Sequence, residues 1–401
     1  MTMRIHHVAL WLSLSGLGPS PIVRPGLDVL VTDSLHLVRG RRVGLVANQA
    51  SVDQHGVHAV ERLRAAGVTL VALFSPEHGF RGGADPGEVV PTTVDSATGL
   101  PIYSLYGKTF APTPEMLSGV DVLLVDLPDV GARYFTYVST AAEVIKAAVP
   151  RGKTVLVLDR PNPLGGAMQG NVLDTAFRSF VGRFPVPMRH GLTMGELARW
   201  ISQDLGLAAG VGVVPVAGWE RRQTGFATGL PFLAPSPNLK DLESLFHYPG
   251  SCLFEGTALS VGRGTEASFS QVGAPWLDTT AVLKIVRRAG LRGVRFAGTT
   301  FTPRRPGDGK FADTLLLGIR LHLVDAARYE PVLTSVVLLS AIRTVHGDRI
   351  GFTPPHFDRL AGSAGLRGAL LQGRSPRRIV ASWRSDLAGF ERRIRPFLLY
   401  R

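Results

Sequence analysis

The sequence predicts an α/β protein in two parts: a doubly wound domain on a parallel sheet, then a smaller α+β domain. Three observations carry that expectation. Short apolar runs alternate with amphipathic stretches through the first half, a Pro/Gly-rich stretch interrupts the pattern near residue 230, and 401 residues exceed what one small core usually holds. Hydrophobic residues make up 45% and charged residues 19%, so the chain can bury a large core and lacks the composition of a disordered segment.

In order along the chain, Arg42–Ala47, Val68–Phe74, Val120–Val125 and Thr154–Leu158 read as strands buried on both faces. Between them, His55–Ala66, Pro114–Ser118 and Tyr137–Ala148 read as helices. Strands alternating with helices imply parallel βαβ units. The stretch Gly229–Asn238 reads as the connection, which divides the chain into residues 26–235 and 236–401 with a cleft between them. In the second part the pattern predicts helices over Val282–Ala289, Val332–His346 and Ser385–Arg393, and a strand near Thr314–Leu323. Residues 1–25 form a tail whose apolar stretch Val8–Leu17 follows Arg4 and resembles a signal peptide. Export to the periplasm or beyond is the expectation from it, with a cytoplasmic location as the alternative. No apolar run reaches the roughly 18 to 20 residues that crossing a bilayer requires.

The formal charge of +13 is scattered, with no basic stripe interleaved with aromatics, which argues against a nucleic-acid partner. Cys252 is the only cysteine, so neither an intramolecular disulfide nor a multi-cysteine metal site is possible. No Gly-x-Gly-x-x-Gly follows the early strands, and neither a Gly-x-Ser-x-Gly elbow nor a His-Glu-x-x-His helix occurs.

Four strand ends are polar: Asn48-Gln49, Ser75-Pro76-Glu77-His78, Asp126-Leu127-Pro128-Asp129 and Asp159-Arg160-Pro161-Asn162. Ligands of open parallel sheets bind beyond the carboxyl ends of the strands, so all four are expected to face one site. Glu77 and His78 put a carboxyl beside an imidazole, with Arg81 close behind, and suit general acid chemistry, or else the carboxylate caps or stabilises the loop beside a surface histidine. Asp126, Asp129, Arg133 and Tyr134 lie within one short segment: Arg133 can fork a substrate carboxylate, or the acids can cap a helix and pair with it. Thr193 and Glu196 form the pattern of a capping box, with His190 just ahead of it. In the second half, Glu255 and Arg263 of the glycine-rich stretch Phe254–Glu266 are a carboxylate and an anion clamp, or an internal ion pair.

Several segments, in order, match one family. They are Pro76–Gly82, Thr98–Gly107, Asp129–Tyr134, Asp159–Pro163, His190–Thr193, Pro235–Asn238, Glu255–Thr257 and Gly262–Thr265. From about Gly26 to its end the chain resembles the NamZ-type exo-β-N-acetylmuramidases of glycoside hydrolase family 171, formerly a domain of unknown function. The resemblance implies a Rossmann-like N-terminal domain, a smaller C-terminal domain and a cleft between them. It further implies release of N-acetylmuramic acid from the non-reducing ends of peptidoglycan fragments, with no metal or organic cofactor. Three positions depart from the family pattern: Pro128, Lys240 and Ala258.

Together the local chemistry and the resemblance single out Glu77, His78, Glu255 and Asp129 as catalytic candidates. Arg81, Arg133, Tyr134, Asn162, His190, Asn238 and Arg263 are the candidates for binding the saccharide. Glu77, aided by His78, is expected to protonate the departing oxygen. Glu255, or failing it Asp129, would handle charge at the anomeric centre or orient the sugar's own acetamide. Arg263 or Arg133 would clamp the lactyl carboxylate. Two other readings compete: a muropeptide-binding protein without catalysis, and a metal-dependent hydrolase built on Asp126, Asp129 and His78.

Overall fold

The structure, a computed structural model, describes residues 22–401. The signal-like stretch therefore lies outside the described residues. Residues 23–25, which the sequence assigns to the tail, are already packed: Val23 is buried and Arg24 exchanges backbone hydrogen bonds with Ala217.

Twelve strands are described: β1 Arg42–Ala47, β2 Thr69–Ser75, β3 Thr93–Val94, β4 Pro101–Ser104, β5 Val122–Asp126, β6 Thr154–Leu158, β7 Gln169–Val172, β8 Pro187–Arg189, β9 Val211–Val214, β10 Gln271–Ala274, β11 Val294–Phe301 and β12 Leu316–Leu323. The helices are α1 Gly26–Asp33, α2 Ala59–Ala65, α3 Pro114–Leu117, α4 Tyr137–Ala148, α5 Met194–Asp204, α6 Gly225–Thr228, α7 Leu242–Ser251, α8 Thr279–Arg288, α9 Pro331–His346, α10 Pro354–Ala361, α11 Gly365–Leu371, α12 Pro376–Ala381 and α13 Arg384–Ile394.

Seven strands form the large sheet in the order β3-β4-β2-β1-β5-β6-β9, parallel throughout except where β3 meets β4. The chain winds outward from β1 through β2 to β4, then returns to lay β5 on the other flank of β1. That reversal makes the β1–β5 junction the topological switch. Helices cover both faces, as the doubly wound expectation requires. One apolar cluster joins Leu27, Leu30, Val60 and Leu63 of α1 and α2 to β1 and β2. The other runs from β5 and α4 across to α7 and α9. The smaller part carries an antiparallel sheet, β10-β12-β11, with α8 and α9 packed beside it.

The four predicted strands and the helix at Tyr137–Ala148 fall where the apolar runs put them. The helix expected over His55–Ala66 begins only at Ala59. Asp53 Oδ1 accepts from the backbone N–H groups of both His55 and Val57, which fixes a turn there, and His58 then caps the helix through Val60 N–H. Strands β10 and β11 were not anticipated. β11 is short of apolar residues and half exposed, so its sequence shows no clear alternation.

The end of the chain returns to the first part. Trp200 of α5 meets Phe390 of α13 edge to face, and the Tyr400 hydroxyl donates to the Asp159 carboxylate just beyond β6 at 2.5 Å. Asp159 also accepts from Thr193 Oγ1 at 2.7 Å and from the N–H groups of Gly195 and Arg160. Gly195 is required for this approach, since an added Cβ would lie 2.7 Å from an Asp159 oxygen. Burial pushes Asp159 up to about 6 against the pull of these donors. The folded protein thus holds this proton more tightly than the unfolded chain. The stability linked to it is fully present below about pH 4 and lost as pH rises through 6. Asp159→Asn, which mimics the protonated form, should therefore gain on the parent by up to about 3 kcal/mol between pH 4 and 7. Thermal melts of both proteins across that range check this; a difference that does not change with pH overturns it.

Candidate active site

The four polar strand ends do not all open into one site. Asp126, at the end of β5, is fully buried and held by the Arg160 guanidinium at 2.5 and 2.9 Å. Asp159 holds the chain terminus and the start of α5. Asn48, at the end of β1, donates to the Tyr137 hydroxyl at 2.8 Å. Only the β2 end, carrying Glu77, lines the cleft between the large sheet and the smaller part.

Glu77 is 8% exposed and sits in a turn that the backbone makes at some cost, since His78 has φ 70. Two bonds hold that conformation. The His78 carbonyl accepts from Ala84 N–H, and His78 Nδ1 lies 2.9 Å from the Ala84 carbonyl. A carbonyl only accepts, so Nδ1 is the donor in this contact and Nε2 is left for another partner. The loop stapled this way brings Gly87 N–H to Glu77 Oε1 at 3.0 Å. Glu77 Oε2 accepts from Thr136 Oγ1 at 2.6 Å. Tyr106 also faces this carboxyl; burial first, and then the charge of Glu77, push its phenol up.

The Glu77 backbone is fixed from behind. The Tyr137 hydroxyl donates to the Pro235 carbonyl at 2.9 Å, with the Glu77 carbonyl next at 3.3 Å, while Gln49 Nε2 donates to Ala234 at 2.6 Å. Gly82 lets Gln49 pass, because a Cβ there would lie 2.1 Å from the Gln49 amide carbon. The Pro/Gly-rich connection is thus bound to the strand ends and forms one rim of the cleft through Ser236 and Leu239.

The facing wall comes from the second part. The cleft is lined by Glu255, Arg263, Tyr248, Phe269 and His356 as well as Tyr134. Arg263 Nε donates to Glu255 Oε1, and its guanidinium carbon lies 4.9 Å from the centre of the Phe269 ring. Its terminal nitrogens have no hydrogen-bond partner among the described residues. Burial pushes Glu255 up, but the Arg263 charge and hydrogen bond outweigh it and hold the carboxyl below its usual range. Lys310 Nζ donates to the carbonyls of Glu255, Thr257 and Leu259 and so shapes the loop that presents this pair. Burial lowers His356, which leaves its imidazole neutral near pH 7.

Of the candidates named from sequence, Glu77, His78, Tyr134, Glu255 and Arg263 come together. Asn238 lies between two rim residues, its side-chain oxygen 3.5 Å from Ser268 Oγ. The others are engaged elsewhere. Arg133 is buried and donates to the carbonyls of Asn171, Val186 and Leu360, so it joins the two parts of the chain and has no free fork for a substrate. Arg81 turns to the surface and pairs with Asp95. Asp129 Oδ2 accepts from Gly131 N–H at 2.7 Å and lies 3.1 Å from His190 Nε2. Asn162 spans from Leu192 to Leu164 and supports the same loop. Asp126, Asp129 and His78 form no common cluster: Arg160 occupies Asp126, and no group of three potential metal ligands exists among the described residues.

Thr136, Tyr106, Gly87, Tyr248, Phe269 and His356 were not foreseen. Thr136 reads as a helix cap and Tyr106 falls within the family-like segment Thr98–Gly107, but nothing local marks the rest. Tyr137→Phe should cost about 1 to 3 kcal/mol, because Asn48 and Pro235 lose a buried partner, and should lower turnover by loosening Glu77. Chemical denaturation together with activity reads both; an unchanged midpoint overturns the role of the hydroxyl.

Residues 43–243 match the family described as "Exo-beta-N-acetylmuramidase NamZ, N-terminal" and residues 246–400 its C-terminal counterpart. A Bacillus subtilis (strain 168) protein named peptidoglycan beta-N-acetylmuramidase NamZ is 39% identical over 383 residues, covering 95% of this chain and 92% of that protein. Two crystal structures of DUF1343 family proteins from Bacteroides fragilis are similar. One has a TM-score of 0.87 at 33% identity, covering 96% of this chain and 100% of the other. The second has 0.76 at 30%, covering 95% and 99%.

Proposed function

The chain belongs to the NamZ family of exo-β-N-acetylmuramidases, glycosidases of peptidoglycan, and from that premise we propose that Glu77 is the acid that releases the terminal N-acetylmuramic acid. The observation that carries this reading is the contrast between the two carboxyls of the cleft. Glu255 has a guanidinium partner and stays ionised, whereas the partners of Glu77 are neutral donors. A group that must both give and recover a proton is better served by neutral partners than by a fixed cation.

In this reading the terminal sugar enters with its glycosidic oxygen beside Glu77. The C1–O bond breaks as Glu77 protonates that oxygen, and positive charge develops at C1 and the ring oxygen. The Glu255 carboxylate offsets that charge and favours the acetamide orientation in which its oxygen approaches C1. His78 keeps the Gly87 loop in place and offers Nε2 to the sugar. Tyr134 and Tyr248, edge to face with each other, supply an aromatic wall. The terminal nitrogens of Arg263 suit the lactyl carboxylate, the group that distinguishes muramic acid from glucosamine.

Glu77→Gln should lower release of free N-acetylmuramic acid from muropeptides by roughly 100-fold or more while leaving the melting temperature near that of the parent. Near-parental release by the folded variant overturns the acid assignment. Arg263→Lys keeps a cation beside Glu255 but loses the planar fork. It should reduce the preference for N-acetylmuramides over N-acetylglucosaminides by about tenfold or more. Comparison of kcat/KM for the two sugars checks this, and an unchanged ratio moves the clamp to another residue.

A further inference from the structure

Thr136 stands at the N-cap of α4, where a threonine hydroxyl normally accepts from a backbone N–H of the first helical turn. It makes no such cap bond. Its hydroxyl is turned to Glu77 Oε2 at 2.6 Å, within the range of a charge-assisted O–H···O bond. The other oxygen, Oε1, accepts from Gly87 N–H at 3.0 Å. An amide N–H only donates, so Gly87 favours Oε1 as the unprotonated, acceptor-only oxygen. A hydroxyl both donates and accepts, so Thr136 remains a partner of Oε2 whether or not that oxygen carries the proton.

We propose that the proton Glu77 delivers sits on Oε2, and that Thr136 is the positioning residue that holds this oxygen and stabilises the charge left on it. This rests on the reading of Glu77 as the acid. The Oε2 proton passes to the glycosidic oxygen, which keeps the electron pair of the breaking C1–O bond and leaves as the sugar alcohol. Water supplies the hydroxyl at C1, and its remaining proton restores the acid. As Oε2 loses its proton, the Thr136 hydrogen bond changes from neutral to charge-assisted, so it strengthens on the way to the transition state and contributes to kcat. Because Thr136 is the N-cap of the twelve-residue helix α4, Oε2 is held near the positive end of that helix, which favours the same charge.

Other titratable groups face Glu77 as well. They are Tyr106 from the loop after β4, Tyr137 in the first turn of α4 and His78 in its own turn, with Glu255, Arg263 and His356 across the cleft. None of them is a hydrogen-bond partner of the Thr136 side chain, whose hydroxyl meets Glu77 Oε2.

The test pairs Thr136→Val with Thr136→Ser and Glu77→Gln on two substrates. One is the disaccharide N-acetylmuramyl-N-acetylglucosamine, whose leaving alcohol needs protonation. The other is an activated aryl N-acetylmuramide, whose phenolate needs little. Thr136→Val should lower kcat on the disaccharide by roughly ten- to a hundredfold with KM nearly unchanged, and on the aryl glycoside by far less. The alkaline limb of its pH–rate profile should move up by about one unit, because a donor to the charged form has been removed. Thr136→Ser should restore both. Equal losses on the two substrates, or an alkaline limb that stays put, overturn the proposal. If Glu77→Gln loses the disaccharide activity while Thr136→Val behaves as parent, the acid stands and only the positioning role falls. If Glu77→Gln retains that activity, the acid assignment falls and the proposal with it.

Discussion

The buried hydroxyl of Tyr137 is the point on which the cleft depends. A phenol fully removed from water must find partners, and this one takes its partners from three chain segments: Asn48 at the end of β1, the Glu77 backbone beyond β2, and Pro235 of the connection between the two parts. Asn48 Nδ2 and the Pro235 carbonyl also meet each other at 3.3 Å, so the phenol closes a small buried network of three polar groups. Satisfying them together fixes the relative positions of two strand ends, the start of α4 and the rim of the cleft. Because Tyr137 is the first residue of α4, the same contact sets where Thr136 stands. The direction of the Glu77 carboxyl is therefore a consequence of how the sheet's carboxyl edge resolves its hydrogen bonds.

With that frame in place, the chemistry of the cleft is divided by the partners of each carboxyl. Glu255 lies against Arg263, which is braced on Phe269, and its loop is drawn around the Lys310 ammonium. A carboxylate with a cation at bonding distance remains an anion through ordinary pH and suits the work of balancing positive charge. Glu77 meets an amide, an alcohol and a phenol, none of which carries charge. Two identical functional groups thus meet opposite electrostatic surroundings in one cleft.

Much of the architecture was legible in the sequence because strands buried on both faces leave continuous apolar runs, as Val122–Asp126 and Thr154–Leu158 do. The capping box of Thr193 and Glu196 was legible because its partners lie three residues apart, and both of its hydrogen bonds form. The convergence of strand ends was half right. Their polar residues do gather at the carboxyl edge of the sheet, but most hold the fold. Asp126 takes Arg160, and Asp159 takes Tyr400 from 241 residues away. Arg133 shows the limit most plainly. Its type and setting suited an anion clamp, yet the carbonyl of Leu360, 227 residues on, is among its partners. Nothing local in sequence distinguishes an arginine that faces solvent-filled space from one enclosed by distant carbonyls.

The same dependence on distant segments explains why the cleft behaves as one unit. The loop between β11 and β12 touches both of its carboxyl-bearing walls. Lys310 gathers three carbonyls of the Glu255 loop, and Arg304 N–H donates to Gly264 next to Arg263. Gly307 of that loop lies against Pro86, the neighbour of the residue whose amide holds Glu77 Oε1, since an added Cβ would come within 3.5 Å of the proline ring. A shift of this one loop would therefore move the partners of Glu77 and of Glu255 together. The spacing of the two carboxyls is thus tied to this loop and to the ammonium, amide and phenol hydrogen bonds around it.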